Sequence, residues 1–151
     1  MLGRTHIAIG ILLALLLLPF ISVPSKLLFV ALVAFGSLLP DVDHENSKIN
    51  KVIPVTRWIP KLFKHRGFFH SIFPVIIIYG VFWYFNERFI GLSLAFGYLT
   101  HLFSDSLTRM GVNFLHPVST WHMRGPIETG TIFETAIFIG VLVGIGAKLV
   151  F

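Results

Sequence analysis

His101 and Asp105 stand four residues apart in an otherwise apolar run, so on a helix both side chains leave one face. Imidazole and carboxylate at that spacing bind one cation or bridge two. Taken alone, the pair serves more often as a hydrogen-bonded clasp between helices. Three further segments carry the same chemistry. Asp41-Val42-Asp43-His44 follows Pro40 where a second apolar run ends. Alone, it reads as a solvated helix end. His65-Arg66-Gly67-Phe68-Phe69-His70-Ser71 opens a third run, and its bland reading is a basic membrane-surface stretch followed by a cap. His6 opens the first run, and a lone histidine there is more often a satisfied buried side chain than a ligand. Together these segments supply His6, His44, His65, His70 and His101 with Asp41, Asp43 and Asp105. Convergence of all four at one depth points to a metal site. The chain has no cysteine, so thiolate and disulfide chemistry are excluded. Imidazole and carboxylate without thiolate suit Zn²⁺ first, with Mn²⁺ or Fe²⁺ as alternatives. The number of donors suggests one or two ions, with some histidines orienting others.

The elements that must position these residues are apolar runs at 7–23, 27–39, 68–85, 89–107 and 131–151. Hydrophobic residues make up 55% of the 151 residues, and charged residues only 13%, against about 25% in soluble proteins. A soluble globule and a disordered chain are both excluded by this balance. The expected fold is an all-α, polytopic membrane protein of about five transmembrane helices. It would form a single membrane-embedded domain over 1–151. No small-residue cleavage site follows the first run, so that run reads as an uncleaved helix. With alternating helix directions, His6, Asp41, Asp43, His44, His65, His70, His101 and Asp105 all fall at one membrane face. The opposite face carries only Lys26, Asn86, Glu87 and Arg88 in short turns, plus Lys148.

Both long connections, 40–67 and 108–130, lie on the face with the cluster. Within the first, 52–64 mixes Trp58, Ile59, Leu62 and Phe63 with bases and reads as a segment on the membrane surface, although Pro54 and Pro60 oppose a long helix. The second holds Asn113, His116, His122 and Glu128 and reads as irregular structure, its polar residues evenly balanced between interfacial and functional roles. Trp121 reads as an interface anchor, and Gly10, Gly36 and Gly97 as points of close helix approach. Counting bases gives nine on the cluster side and three on the other. The positive-inside rule therefore places the N-terminus and both long loops in the cytoplasm. The net charge of +5 reports this topology and contact with anionic lipid, not nucleic acid.

At these residues the chain resembles the YdjM family of membrane-bound metal-dependent hydrolases, also described as LexA-binding inner-membrane proteins. The matching features are Thr5-His6, Leu39-Pro40-Asp41-Val42-Asp43-His44, His65 to Ser71, and His101-Leu102-Phe103-Ser104-Asp105. They cover residues 5–105, about two-thirds of the chain. The family is distantly similar to zinc-dependent phospholipase C and P1-type nucleases, helical enzymes that cleave phosphoesters with His/Asp metal clusters. His101 and Asp105 match their H-x-x-x-D motif. A later H-x-x-x-E motif has no counterpart here, because His122 and Glu128 are wrongly spaced.

The resemblance implies an inner (cytoplasmic) membrane protein, multi-pass, and leaves a LexA-type partner open. The expected function is metal-dependent hydrolysis at the cytoplasmic face, of a lipid or other amphipathic phosphoester, with membrane lipid as environment and candidate substrate. The expected ligands are His6, Asp41, Asp43, His65, His70, His101 and Asp105. Asp41 or Asp43 would act as general base, Arg66 and Arg124 would bind phosphate oxygens, and His44 would orient a ligand. The alternatives are a non-catalytic protein that binds or transports metal, and a haem protein with axial histidines.

Overall fold

A computed structural model of the chain describes residues 1–44 and 67–150. Five α-helices lie among the described residues: α1 (Gly3–Leu17), α2 (Lys26–Gly36), α3 (Phe73–Tyr84), α4 (Arg88–Ser106) and α5 (Ile132–Val150). The all-α class expected from the sequence is observed. Length and composition suit two segments for crossing a membrane, Gly3–Phe20 and Ile132–Val150, while Phe73–Tyr84 is apolar but shorter.

Helix ends differ from the apolar runs for identifiable reasons. Ser25 takes an extended conformation and its hydroxyl accepts from Leu28 N, so α2 starts at Lys26, after Pro24. Beyond Gly36 the chain tightens into a 3₁₀ turn over Leu39–Asp43, with Pro40 at its start. The third run enters through another 3₁₀ turn, Phe68–His70, and the α-helix begins only at Phe73, with Pro74 in its first turn. Both 3₁₀ turns carry candidate ligands, so these residues sit on irregular backbone next to a helix and not within one.

α2 and α4 meet through glycines. A Cβ on Gly97 would lie 2.2 Å from the carbonyl oxygen of Val33, and one on Gly36 would lie 2.5 Å from that of Leu94. Only hydrogen at these positions allows the two backbones to touch. α1 packs on α2, α4 and α5, while α3 packs on α4. One apolar cluster joins Ala14 to Phe29 and Val33 of α2, and another joins Val75 to Ala95, Tyr98, Leu102 and Val112.

Polar and apolar residues are inverted relative to a soluble globule. Thr5, His6, Ser93, Thr100, His101, Ser104, Asp105 and Glu134 are buried, whereas Phe20, Leu27, Ile76, Trp83, Ile132, Phe133 and Val143 are exposed. An apolar exterior over a polar interior suits a hydrocarbon solvent. The 108–130 connection is irregular but tied: single bridges join Thr108 to Ile127 and Val112 to Met123. Its Phe114 carbonyl also accepts from Ile72 N, which fastens the loop beside the His70 turn.

Candidate metal centre

His101 sits one turn beyond Gly97 on α4, and Asp105 one turn further. Both are fully buried. The Nδ1 of His101 faces the carbonyl of Ser37 at 2.8 Å, so Nδ1 carries the proton and donates. That fixes the tautomer and leaves the Nε2 lone pair pointing inward. Nε2 is buried and makes no hydrogen bond among the described residues. The backbone that orients it belongs to the end of α2, brought there by the glycine contact.

His70 arrives from the 3₁₀ turn before α3. Tyr98 O–H donates to the carbonyl of Phe69, which holds that turn against α4. One face of the imidazole meets Asp43: Nδ1 lies 3.3 Å from Oδ2 of this buried carboxylate. The other nitrogen, Nε2, lies 3.8 Å from Asp105 Oδ2 and 3.9 Å from Asp41 Oδ1. His101 Nε2 is likewise 3.8 Å from each of these two oxygens. Two imidazole nitrogens and two carboxylate oxygens thus face one another at 3.8–3.9 Å in all four His–Asp pairings.

His6 completes the cluster from α1. Its ring stacks on His101 with centroids 3.7 Å apart. Ser104 donates its hydroxyl to the His101 carbonyl at 2.9 Å, so the 2.7 Å contact to His6 Nδ1 is a donation from the imidazole. His6 Nε2 then lies 3.1 Å from the Met1 carbonyl and 3.4 Å from Asp105 Oδ1. Lone pairs converge in this way only around a proton or a cation. The Met1 amino group donates to the same Asp105 oxygen. Asp105 therefore spans the centre, with Oδ1 toward α1 and Oδ2 toward His70 and His101.

Two triads have donor atoms close enough to hold one ion, His6–Asp41–His101 and His70–His101–Asp105. The donor set and the inward, unbonded His101 nitrogen fit a divalent cation of borderline softness. Of the ligands expected from sequence, His6, Asp41, His70, His101 and Asp105 are brought together. Asp43 stands behind His70, in the place of a carboxylate that orients a metal-bound histidine. His65 and Arg66 lie outside the described residues, as does the basic segment around them. His44 is exposed at the end of the Asp41 turn.

The second loop does not feed the cluster. Exposed His122 bonds through Nδ1 to the Thr120 carbonyl, and Glu128 pairs at 3.1 Å with Arg109, both exposed. Arg124 is exposed. Sequence reasoning missed Ser37 and Ser104 as orienting groups. Ser104 falls inside the H-x-x-x-D string, one turn past Thr100 on the buried face, which was the available signal. The Ser37 contact is a backbone carbonyl and leaves no side-chain signature.

Comparison with known proteins identifies a family. The family model described as YdjM inner membrane protein matches residues 1–150. YvsG of Bacillus subtilis (strain 168) is 32% identical over 145 residues, covering 93% of this chain and 89% of that protein. The inner membrane protein YdjM of Escherichia coli (strain K12) is 34% identical over 116 residues, 70% of this chain, and the match spans 59% of YdjM. No solved structure matches. With its ligand-bearing segments inside a match of this length, the chain belongs to the YdjM inner membrane protein family.

Proposed function

We propose that this chain is a multi-pass inner-membrane, metal-dependent hydrolase that acts on an amphipathic phosphoester at the cytoplasmic face. The observation that carries the reading is the pair of donor triads that share His101, His6–Asp41–His101 and His70–His101–Asp105. In this reading all five helices span. α2 and α3 are only about 16 and 18 Å long as helices, but each continues through its 3₁₀ turn toward the cluster face. Irregular backbone at that depth is tolerated because it is buried in protein. Nine bases on that face support the cytoplasmic assignment.

A divalent cation in this cluster, Zn²⁺ first, supplies Lewis-acid polarisation and makes water a stronger acid. The remaining work falls to the chain. His101 and His70 are held by Ser37 and Asp43, so little reorganisation accompanies binding. Asp41 is the most accessible of the clustered ligands, at 20% exposure against 1% for Asp105. Its carboxylate is therefore the group placed to take a proton from water at the entrance. Arg66, adjoining the described Gly67, is assigned the phosphate oxygens on sequence grounds. The position of the cluster at helix ends suits a substrate whose phosphate sits at headgroup depth with its tails in hydrocarbon.

The test is hydrolysis of phospholipids, lipid phosphates and soluble phosphoesters by purified protein with Zn²⁺ or Mn²⁺, with and without chelator. Turnover should vanish in chelator and in Asp105→Ala, and lipidic substrates should outrun soluble analogues. Equal rates on both classes would end the lipid assignment. Absence of turnover with metal retained would favour a second reading, a non-catalytic metal protein. The near-complete burial of His70, His101 and Asp105 supports that second reading.

A further inference from the structure

Glu134 is a buried carboxylate that the metal centre does not use. It lies in the first turn of α5 and is 1% exposed. Its Oε1 accepts from Leu2 N at 2.6 Å and from the Thr5 hydroxyl at 2.8 Å, while Oε2 accepts from Gly130 N at 2.7 Å. A buried carboxylate is tolerated where charge-assisted hydrogen bonds saturate it, and three such bonds converge here. Two of the three come from the first turn of α1.

That turn has no cap of its own. Leu2 occupies the N-cap position and offers no side-chain acceptor. Glu134, 132 residues away in sequence, accepts the N–H of the N-cap residue from another helix, as the acid of a capping box does, and its charge also complements the positive end of the α1 dipole. Leu2 is held at both ends: its N–H by Glu134, and its carbonyl by Thr5 N at 2.8 Å and His6 N at 3.2 Å. A direct covalent and hydrogen-bonded path therefore runs from Glu134 through Leu2 and Thr5 to the backbone of His6. The depth and rotation of that turn set where His6 Nε2 meets Asp105.

We infer that Glu134 is a positioning residue for the metal centre, which clamps the first turn of α1 to α5 so that His6 reaches the ion. The inference rests on the metal-centre reading above. Its test is a double-mutant cycle on the full chain in detergent, with apparent Zn²⁺ affinity read by competition with a chromophoric chelator. Glu134→Ala should weaken Zn²⁺ binding by roughly 10-fold, the low end of the range for removing a ligand's direct outer-shell partner, because Glu134 acts on His6 through Leu2 and Thr5. In the His6→Ala background, Glu134→Ala should cause no further loss, because its effect passes through His6. Glu134→Gln should recover part of the affinity: one amide oxygen still accepts from Leu2 and Thr5, while its NH₂ opposes Gly130 N–H. This variant also serves if Glu134→Ala does not fold. Equal losses in both backgrounds would make Glu134 a general structural residue and overturn the inference. Tight binding by wild type and Glu134→Ala alike would overturn it and spare the metal centre. Failure of wild type itself to bind Zn²⁺ would overturn both.

Discussion

Replacing Gly97 with alanine adds one methyl group directed at the backbone of α2, and it should disturb the candidate metal centre. The added Cβ would stand 2.2 Å from the Val33 carbonyl oxygen, 2.9 Å from its carbon and 3.0 Å from Gly36 Cα, all backbone atoms of α2. No rotamer change relieves such a clash, so α2 and α4 must part by about 1 Å to restore ordinary contact. α2 leads directly into the turn that carries Asp41, while α4 carries His101 and Asp105. The Asp41 oxygen would therefore leave its 3.8–3.9 Å separation from the two imidazoles, whereas metal–ligand distances tolerate roughly 0.2 Å. Overpacking of this kind costs about 1–3 kcal/mol. Passed on to the ion in full, this corresponds to a loss of roughly 5–150-fold in Kd, the upper bound of the expected effect. The assay is Zn²⁺ retained per protein after dialysis against graded chelator, with thermal unfolding in the same detergent. Gly80→Ala and Gly140→Ala, whose new Cβ atoms would meet nothing within 4 Å, are the controls. If Gly97→Ala matched these controls in both metal retention and stability, the glycine contact would not set the geometry of the site.

Other expected outcomes follow from the same arrangement. Asp105→Ala should abolish metal retention by elemental analysis, while Glu87→Ala, in the exposed turn before α4, should leave it unchanged. Protons compete with the cation for imidazole lone pairs, so Zn²⁺ affinity should weaken as pH falls, with proton release on metal binding measurable in weakly buffered solution. Tyr98→Phe should destabilise the protein by about 1 kcal/mol in equilibrium unfolding through loss of its bond to the Phe69 carbonyl, and should lower metal affinity by loosening the His70 turn. A reporter inserted at Thr120 should read cytoplasmic and one at Asn86 the opposite side; the reverse result would invert the proposed topology.

The convergence of His6, Asp41, His70, His101 and Asp105 was legible in the sequence because each falls at the end of an apolar run. Alternating runs return every second end to one face. The i, i+4 spacing of His101 and Asp105 survived intact because both lie inside a continuous helix. The run boundaries were less legible. Hydropathy does not distinguish an α-helix from the 3₁₀ turns at Leu39–Asp43 and Phe68–His70: Pro40 lies within the first, while Pro74, after the second, marks the true start of α3. Roles that depend on partners distant in sequence were not legible at all. Asp41 and Asp43 look equivalent in sequence, yet one faces the centre and the other supports His70 from behind. In the sequence Glu134 is only an acid at a helix start, where it would ordinarily favour its own helix dipole; its bonds to Leu2 and Thr5 depend on how α1 and α5 pack.

The distribution of ligands along the chain also bears on how the centre is assembled. His6 precedes Asp105, the residue that spans the centre, by 99 positions. Before α4 is made, His6 and Asp41 are present without Asp105 and His101, the α4 residues they face in the finished fold. Neither the Ser37–His101 bond nor the Gly36–Gly97 contact exists until α4 follows. Capture of an ion by this cluster would therefore be a late step of biogenesis, and would close a loop of about a hundred residues as a cross-link does. Metal supply during synthesis would then govern how much of the protein survives quality control, separately from any effect on turnover. A pulse-chase experiment under chelation would register this as faster degradation of the full-length chain, while a fragment ending before His101 would turn over at the same rate with or without metal.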